Sequence, residues 1–230
     1  MFLSTPPDSA PLHWNEDHTL QYGTPTSSNQ IKGLLFSPDS RFLAVGLPTI
    51  IEIWQISSLG DPPKPPLRIR ANHELVCMTW LGPRTLAHGH RDGRVGVSTI
   101  EDEVVTMKVL QAGTTGHVSS FALLGDGRIL AIGIGDEVNF WEFTNTSYEW
   151  RSLGSLPNPP NVDQISRDSL VVTSLFTVNA STLLVSYADS AVILWSLSST
   201  NPIEATAASG IRVTGRVYVL PNPDRRAIMS

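Results

Sequence analysis

The sequence predicts an all-β protein built as a propeller-like array of small antiparallel sheets, and three observations carry that prediction. Related strand-rich segments recur four times at a spacing of about 43 residues, over 30–56, 74–100, 117–143 and 171–197. Each places a small residue at the end of its middle strand, Gly46, Gly89, Gly133 and Ser186, and closes its third strand at Trp54, Ser98, Trp141 and Trp195. The closing residues stand 44, 43 and 54 positions apart, so only the last unit carries an insertion. A repeat of about 40–45 residues with several short strands per unit is the signature of a propeller or a similar array. Apolar residues also occupy both faces of several strands, as in Val192-Ile193-Leu194-Trp195, which suits sheets covered on both sides.

In the first unit the strands are expected at 31–36, 42–46 and 50–56, divided by Ser37-Pro38-Asp39-Ser40. Proline presets φ at that turn and the Asp and Ser side chains bond back to the backbone. Gly125-Asp126-Gly127 serves the third unit in the same way, and 178–181 the fourth. A fourth, outer strand is expected between units at 67–71, 104–110 and 147–153, and the connectors at 60–66 and 157–160 carry prolines and read as stiff loops. Residues 1–29 form an N-terminal segment with latch-strand candidates at 11–14 and 19–22, and 211–230 begins a partial fifth unit. Two outcomes stay open: a ring of five blades closed by a composite of the two termini, or an open arc whose uncovered faces favour self-association.

With 230 residues, 41% hydrophobic and 16% charged, the chain can bury a sizeable core and does not belong with disordered polyelectrolytes. The net charge of −5, with no cluster of Lys and Arg beyond Arg68-Ile69-Arg70, speaks against nucleic acid as a partner. Cys77 is the single cysteine, read as a buried inert thiol in an apolar strand. The first residues lack the basic start and apolar run of a secretory signal, and no run of 18 apolar residues occurs, so an intracellular protein without a membrane segment is expected.

Several motifs then suggest a family. Gly116-His117, the near match Asn72-His73, the turn Phe36-Ser37-Pro38-Asp39, the later turns Arg91-Asp92-Gly93, Gly135-Asp136 and Ala188-Asp189-Ser190, and the closing Trp54-Gln55, Trp141-Glu142 and Trp195-Ser196 resemble the WD-repeat β-propeller family. The closing Trp is kept and the Asp after it is not. The resemblance implies a buried His–Asp–Ser/Thr–Trp network within each blade. Carried over by position, it draws His117, Asp136 and Trp141 from the third unit, with Ile132 where a hydroxyl belongs. The second unit supplies His73 and Asp92 but ends on Ser98. The fourth supplies Asp189, Ser186 and Trp195 with Val171 in the His position, and the first supplies Trp54.

Catalytic patterns are largely missing. His90-Arg91-Asp92 imitates a kinase loop, but Val97 stands where its Asn is required. His88 and His90 alternate along one strand without an evident third ligand, so no metal is expected. There is no P-loop, dinucleotide fingerprint or Gly-x-Ser-x-Gly elbow, and no cofactor is expected. The resemblance implies a non-enzymatic function, a scaffold that presents loops to partner proteins or peptides, with Glu74, Arg91 and Glu137 as exposed contacts on the face the family uses. An alternative is a five-bladed glycosidase-like hydrolase, which requires paired carboxylates at the channel; the expected inner strands carry none. A further alternative is a non-autonomous part of a larger WD-repeat protein.

Overall fold

Short β-branched and aromatic runs separated by Gly, Pro, Asp and Ser turns can satisfy their backbone only by pairing with sequence neighbours, and the chain does so four times over. A computed structural model describes residues 30–56, 64–101, 104–112, 116–144, 149–157, 170–188, 191–198, 206–212, 219–220 and 228–229. The first sheet holds β1 (Gly33–Phe36), β2 (Phe42–Gly46), β3 (Ile50–Gln55) and β4 (Leu67–Arg70). The second holds β5 (Leu75–Gly82), β6 (Thr85–His90), β7 (Arg94–Glu101) and β8 (Val104–Ala112). The third holds β9 (Val118–Leu124), β10 (Ile129–Ile134), β11 (Glu137–Thr144) and β12 (Glu149–Ser155). The fourth holds β13 (Val172–Asn179), β14 (Thr182–Tyr187), β15 (Ala191–Ser196) and β16 (Thr206–Arg212). All four sheets are antiparallel meanders in chain order, the blades of an all-β propeller. β17 (Val219–Leu220) and β18 (Ile228–Met229) pair as a separate short ribbon.

Successive blades are joined by apolar cores. Phe42, Ala44, Ile51 and Ile53 of the first blade pack with Leu75, Trp80, Leu86 and Ile100 of the second. Ala87, Val95 and Val97 meet Val118, Leu130 and Ile132, and Phe140 of the third blade meets Val172, Leu183 and Trp195 of the fourth. The repeated small residue now has a cause. A Cβ on Gly46 would strike Leu75, one on Gly89 would strike Val118, and one on Gly133 would strike Val172. In each case the obstacle is the first apolar residue of the next blade's inner strand, so the missing side chain lets neighbouring blades approach closely. Hydrogen bonds repeat across the same seams. Leu75 N–H donates to Pro48 O at 2.7 Å and Val172 N–H to Gly135 O at 2.7 Å, while the Trp80 indole donates to Leu35 O at 3.0 Å.

The first turn is closed by its own side chains. Ser37 Oγ donates to Asp39 at 2.7 Å and accepts from Phe42 N–H at 2.9 Å, and Ser40 takes φ of 58°, a conformation usually left to Gly or Asn. That Ser37 bond, more than any other neighbour, holds the Asp39 carboxyl below its usual range. The strands depart from expectation at their ends. β1 starts at Gly33, and β12 runs on to Ser155. Ile211 and Arg212 lie in β16 of the fourth blade, where the expected division had begun a fifth unit. The latch candidates at 11–14 and 19–22 lie outside the described residues.

Candidate interaction site

Three connections meet at one corner of the first two blades: the start of β1, the 71–74 link from β4 to β5, and the 91–93 turn between β6 and β7. Backbone bonds lock the last two together, Arg91 N–H donating to Glu74 O at 2.9 Å. Glu74 is then gripped from both sides, by Lys32 Nζ at 2.9 Å and by Arg91 Nη1 at 3.0 Å. Lys32 first, and Arg91 after it, hold the Glu74 carboxyl below the ordinary carboxylate range. Glu74 is thus half-buried with both oxygens engaged, whereas the Arg91 side chain keeps 75% of its surface open. Glu137 is exposed at the start of β11, beside the exposed Asp136. Glu74, Arg91 and Glu137 were expected together as exposed contacts; Arg91 and Glu137 present open side chains, and Glu74 orients Arg91.

One level below, His73 Nε2 approaches Asp92 Oδ2 at 3.3 Å, and Arg94 Nε approaches the same oxygen at 3.1 Å. Under them a chain of imidazoles enters the blade. His90 Nδ1 lies 3.2 Å from His73 O, His90 Nε2 lies 2.9 Å from His88 Nδ1, and His88 Nε2 lies 3.1 Å from Ser98 Oγ. A carbonyl can only accept, so His90 donates from Nδ1, His88 donates from Nδ1 to His90, and Ser98 donates to His88. Those directions hold for two neutral rings, the state that burial favours. Burial, and then the neighbouring His90, pushes His88 down to about 3; burial lowers His90 as well. The two rings spend their nitrogens on each other, on Ser98 and on the His73 carbonyl, and among the described residues no group of three or more His, Cys, Asp or Glu side chains is placed to hold a metal.

This chain of His and Ser fills the second blade, which lacks the closing Trp. In the other blades the indole N–H groups of Trp54 and Trp141 are buried with no hydrogen-bond partner, and the buried indole of Trp195 faces the Tyr187 hydroxyl. His117 and Asp136 are both exposed, and Ile132, at the position of the family hydroxyl, is fully buried among apolar side chains. Asp189 lies outside the described residues. Sequence reasoning missed the roles of His88, His90 and Ser98. Their signal was the one unit with Ser at the closing position, two strand residues of the same parity being His.

The other aromatic candidates are mostly spent on packing. Trp80 is buried between blades, and Trp150 packs on Phe143 with ring centroids 5.3 Å apart. Cys77 reaches Val118 O at 3.6 Å, and desolvation pushes its thiol up to about 12, the inert state. No carboxylate lies on the inner strands β1, β5, β9 or β13.

No protein-family model and no curated protein sequence matches the chain. Solved structures do. The β-propeller domain of Cps50 (Swd1) from Myceliophteria thermophila superposes with a TM-score of 0.58 at 14% identity, covering 80% of this chain and 60% of that one. A "putative 6-phosphogluconolactonase" from Bacteroides uniformis superposes with a TM-score of 0.61 at 14% identity, covering 80% of this chain and 55% of that one. At such identity the likeness shows the propeller fold alone, and this chain spans 60% and 55% of the two solved chains. The second likeness corrects one expectation. The fold is shared with a propeller that carries an enzyme's name, so the absence of enzymatic activity does not follow from it.

Proposed function

We propose that the chain is a propeller of the WD-repeat type that binds partner proteins or peptides through the corner formed by the 71–74 and 91–93 connections, together with the turn that starts β11. One observation carries this: Glu74, braced between Lys32 and Arg91, holds an exposed guanidinium on two rigid blades. A planar cation held in place by its neighbours loses little freedom when it meets a carboxylate or a carbonyl, which is what an interface anchor requires. Glu137 and Asp136 offer opposite charge at the next blade's turn, so a partner would be oriented as well as held. The single cysteine suits a reducing, intracellular setting, which belongs to the same proposal.

The test is affinity capture of binding proteins with the wild-type chain beside the Arg91→Glu, Glu137→Lys double variant. Circular dichroism and thermal melting first establish that both are folded. Partners retained by the wild type are expected to be lost on the double variant. An unchanged set of captured proteins would refute this corner as the binding face.

A further inference from the structure

Beside the same corner the second blade leaves an amphipathic cleft, and its cause lies in the strand lengths. β4 of the first blade has four residues and β8 of the second has nine, so β8 extends past its cover. Val105, near the start of β8, still packs against the core shared by the two blades. Met107 and Val109, two and four positions further along the same side, are 53% and 50% exposed. Gly96 pairs with Val109 on one side and His88 on the other. A side chain there would run into the His88 ring, which lies over Gly96 in the middle of the row from β6 to β8. The result is a cleft of about 90 Å³ with Gly96, Met107 and Val109 as its apolar wall and Arg70, His73 and Arg94 around it.

The charges around this cleft run against the rest of the chain. Lys32, Arg70, Arg91 and Arg94 supply four fixed cations near it, and Glu74 and Asp92 answer with two carboxylates through the ion pairs already described. The local balance is +2 on a chain whose net charge is −5. Arg70 makes no ion pair among the described residues and ends β4 at the rim. The His88 and His90 nitrogens are committed within the blade, so the wall offers apolar contact and the rim offers cations.

We infer that this cleft docks a short acidic segment of a partner protein, an aliphatic side chain seated on Met107 and Val109 with a following carboxylate on Arg70. The inference rests on the platform function proposed above and names the chemistry of one subsite within it. An aliphatic residue followed by acids matches both walls at once. A basic segment would meet Arg70 as a like charge, and a nucleic-acid strand would leave the methionine and valine without a partner.

The test uses two capped, fluorescein-labelled peptides, one with a leucine followed by two glutamates and one with a leucine followed by two lysines, titrated by fluorescence anisotropy. Methyl resonances of the four methionines report position. The acidic peptide is expected to bind at least about tenfold more tightly than the basic one, to weaken with added salt, and to shift Met107 above the other methionines. Arg70→Glu and Met107→Asp, both at exposed positions, are each expected to weaken it about tenfold or more with unchanged melting. Equal binding of both peptides, no binding of the acidic peptide, or full binding by Arg70→Glu would overturn the inference. The Arg91→Glu, Glu137→Lys capture experiment stands apart: partners lost there while the peptide fails here would leave the platform and remove only the cleft.

Discussion

Replacing His88 by Gln tests the buried imidazole chain through its proton rather than its packing. In the folded chain His88 is 1% exposed and its pKa is pushed down to about 3, against 6.5 for an unburied histidine. Between those values the unfolded chain holds a proton that the folded chain does not. Stability is therefore complete above pH 6.5 and declines as pH falls from 6.5 toward 3, with a slope for one histidine of about 1.4 kcal/mol per pH unit. At pH 5 the loss from His88 alone comes to about 2 kcal/mol. His90 is lowered in the same direction and adds to it, whereas Glu74 and Asp39, also lowered, act only below their ordinary values of 4.5 and 3.8. The interval from pH 6.5 to 5 thus isolates the histidines. Urea unfolding followed by circular dichroism at several pH values in that interval gives the slope, whatever the absolute stability. His88→Gln is expected to lose about 1–3 kcal/mol at pH 7.5, where Ser98 and His90 are left with poorer partners. It should also flatten the slope by about 1.4 kcal/mol per pH unit. A variant as pH-sensitive as the wild type would refute the scheme, because His88 would then carry the same proton in both states.

The seams between blades make two further predictions. Gly89→Ala places a methyl group against Val118 and is expected to cost about 1–3 kcal/mol in urea melts; adding Val118→Ala should relieve the steric part, and strictly additive losses would mean that the blades do not meet there. Trp80→Phe removes the indole donor to Leu35 O and part of an inter-blade contact, with an expected loss of about 1–3 kcal/mol, and a neutral outcome would place that hydrogen bond outside the folded ensemble.

The blade pattern was legible because it follows from periodicity. The repeat of about 43 residues, turn chemistry at Ser37-Pro38-Asp39-Ser40, and small residues at Gly46, Gly89 and Gly133 each leave a mark in one dimension. β16 was not legible. Its sequence, TAASGIR, carries small residues whose strand state is set by pairing with β15 rather than by propensity. The candidate site was read in part. Arg91 and Asp92 sit in a turn that sequence can place, but the grip of Lys32 on Glu74 joins residues 42 positions apart across two blades. The His88–His90–Ser98 chain depends on the register between β6 and β7, which places Gly96 under His88. Pairing of that kind is fixed only when sheets assemble, and the alternation of two histidines looks the same beforehand whether they face a metal, solvent or each other.

The buried indole N–H groups of Trp54, Trp141 and Trp195 also bear on how the molecule can be watched. An indole whose N–H is shielded from water emits further to the blue than a solvated one, and it moves to the red once solvent reaches it. These three lie in the first, third and fourth blades, while the second closes on Ser98 and is dark at that position. Single-tryptophan versions of the protein would turn that asymmetry into a colour reading of each blade during unfolding. Blades that redden together would mark one cooperative body, and blades that redden in turn would give the order in which the array comes apart.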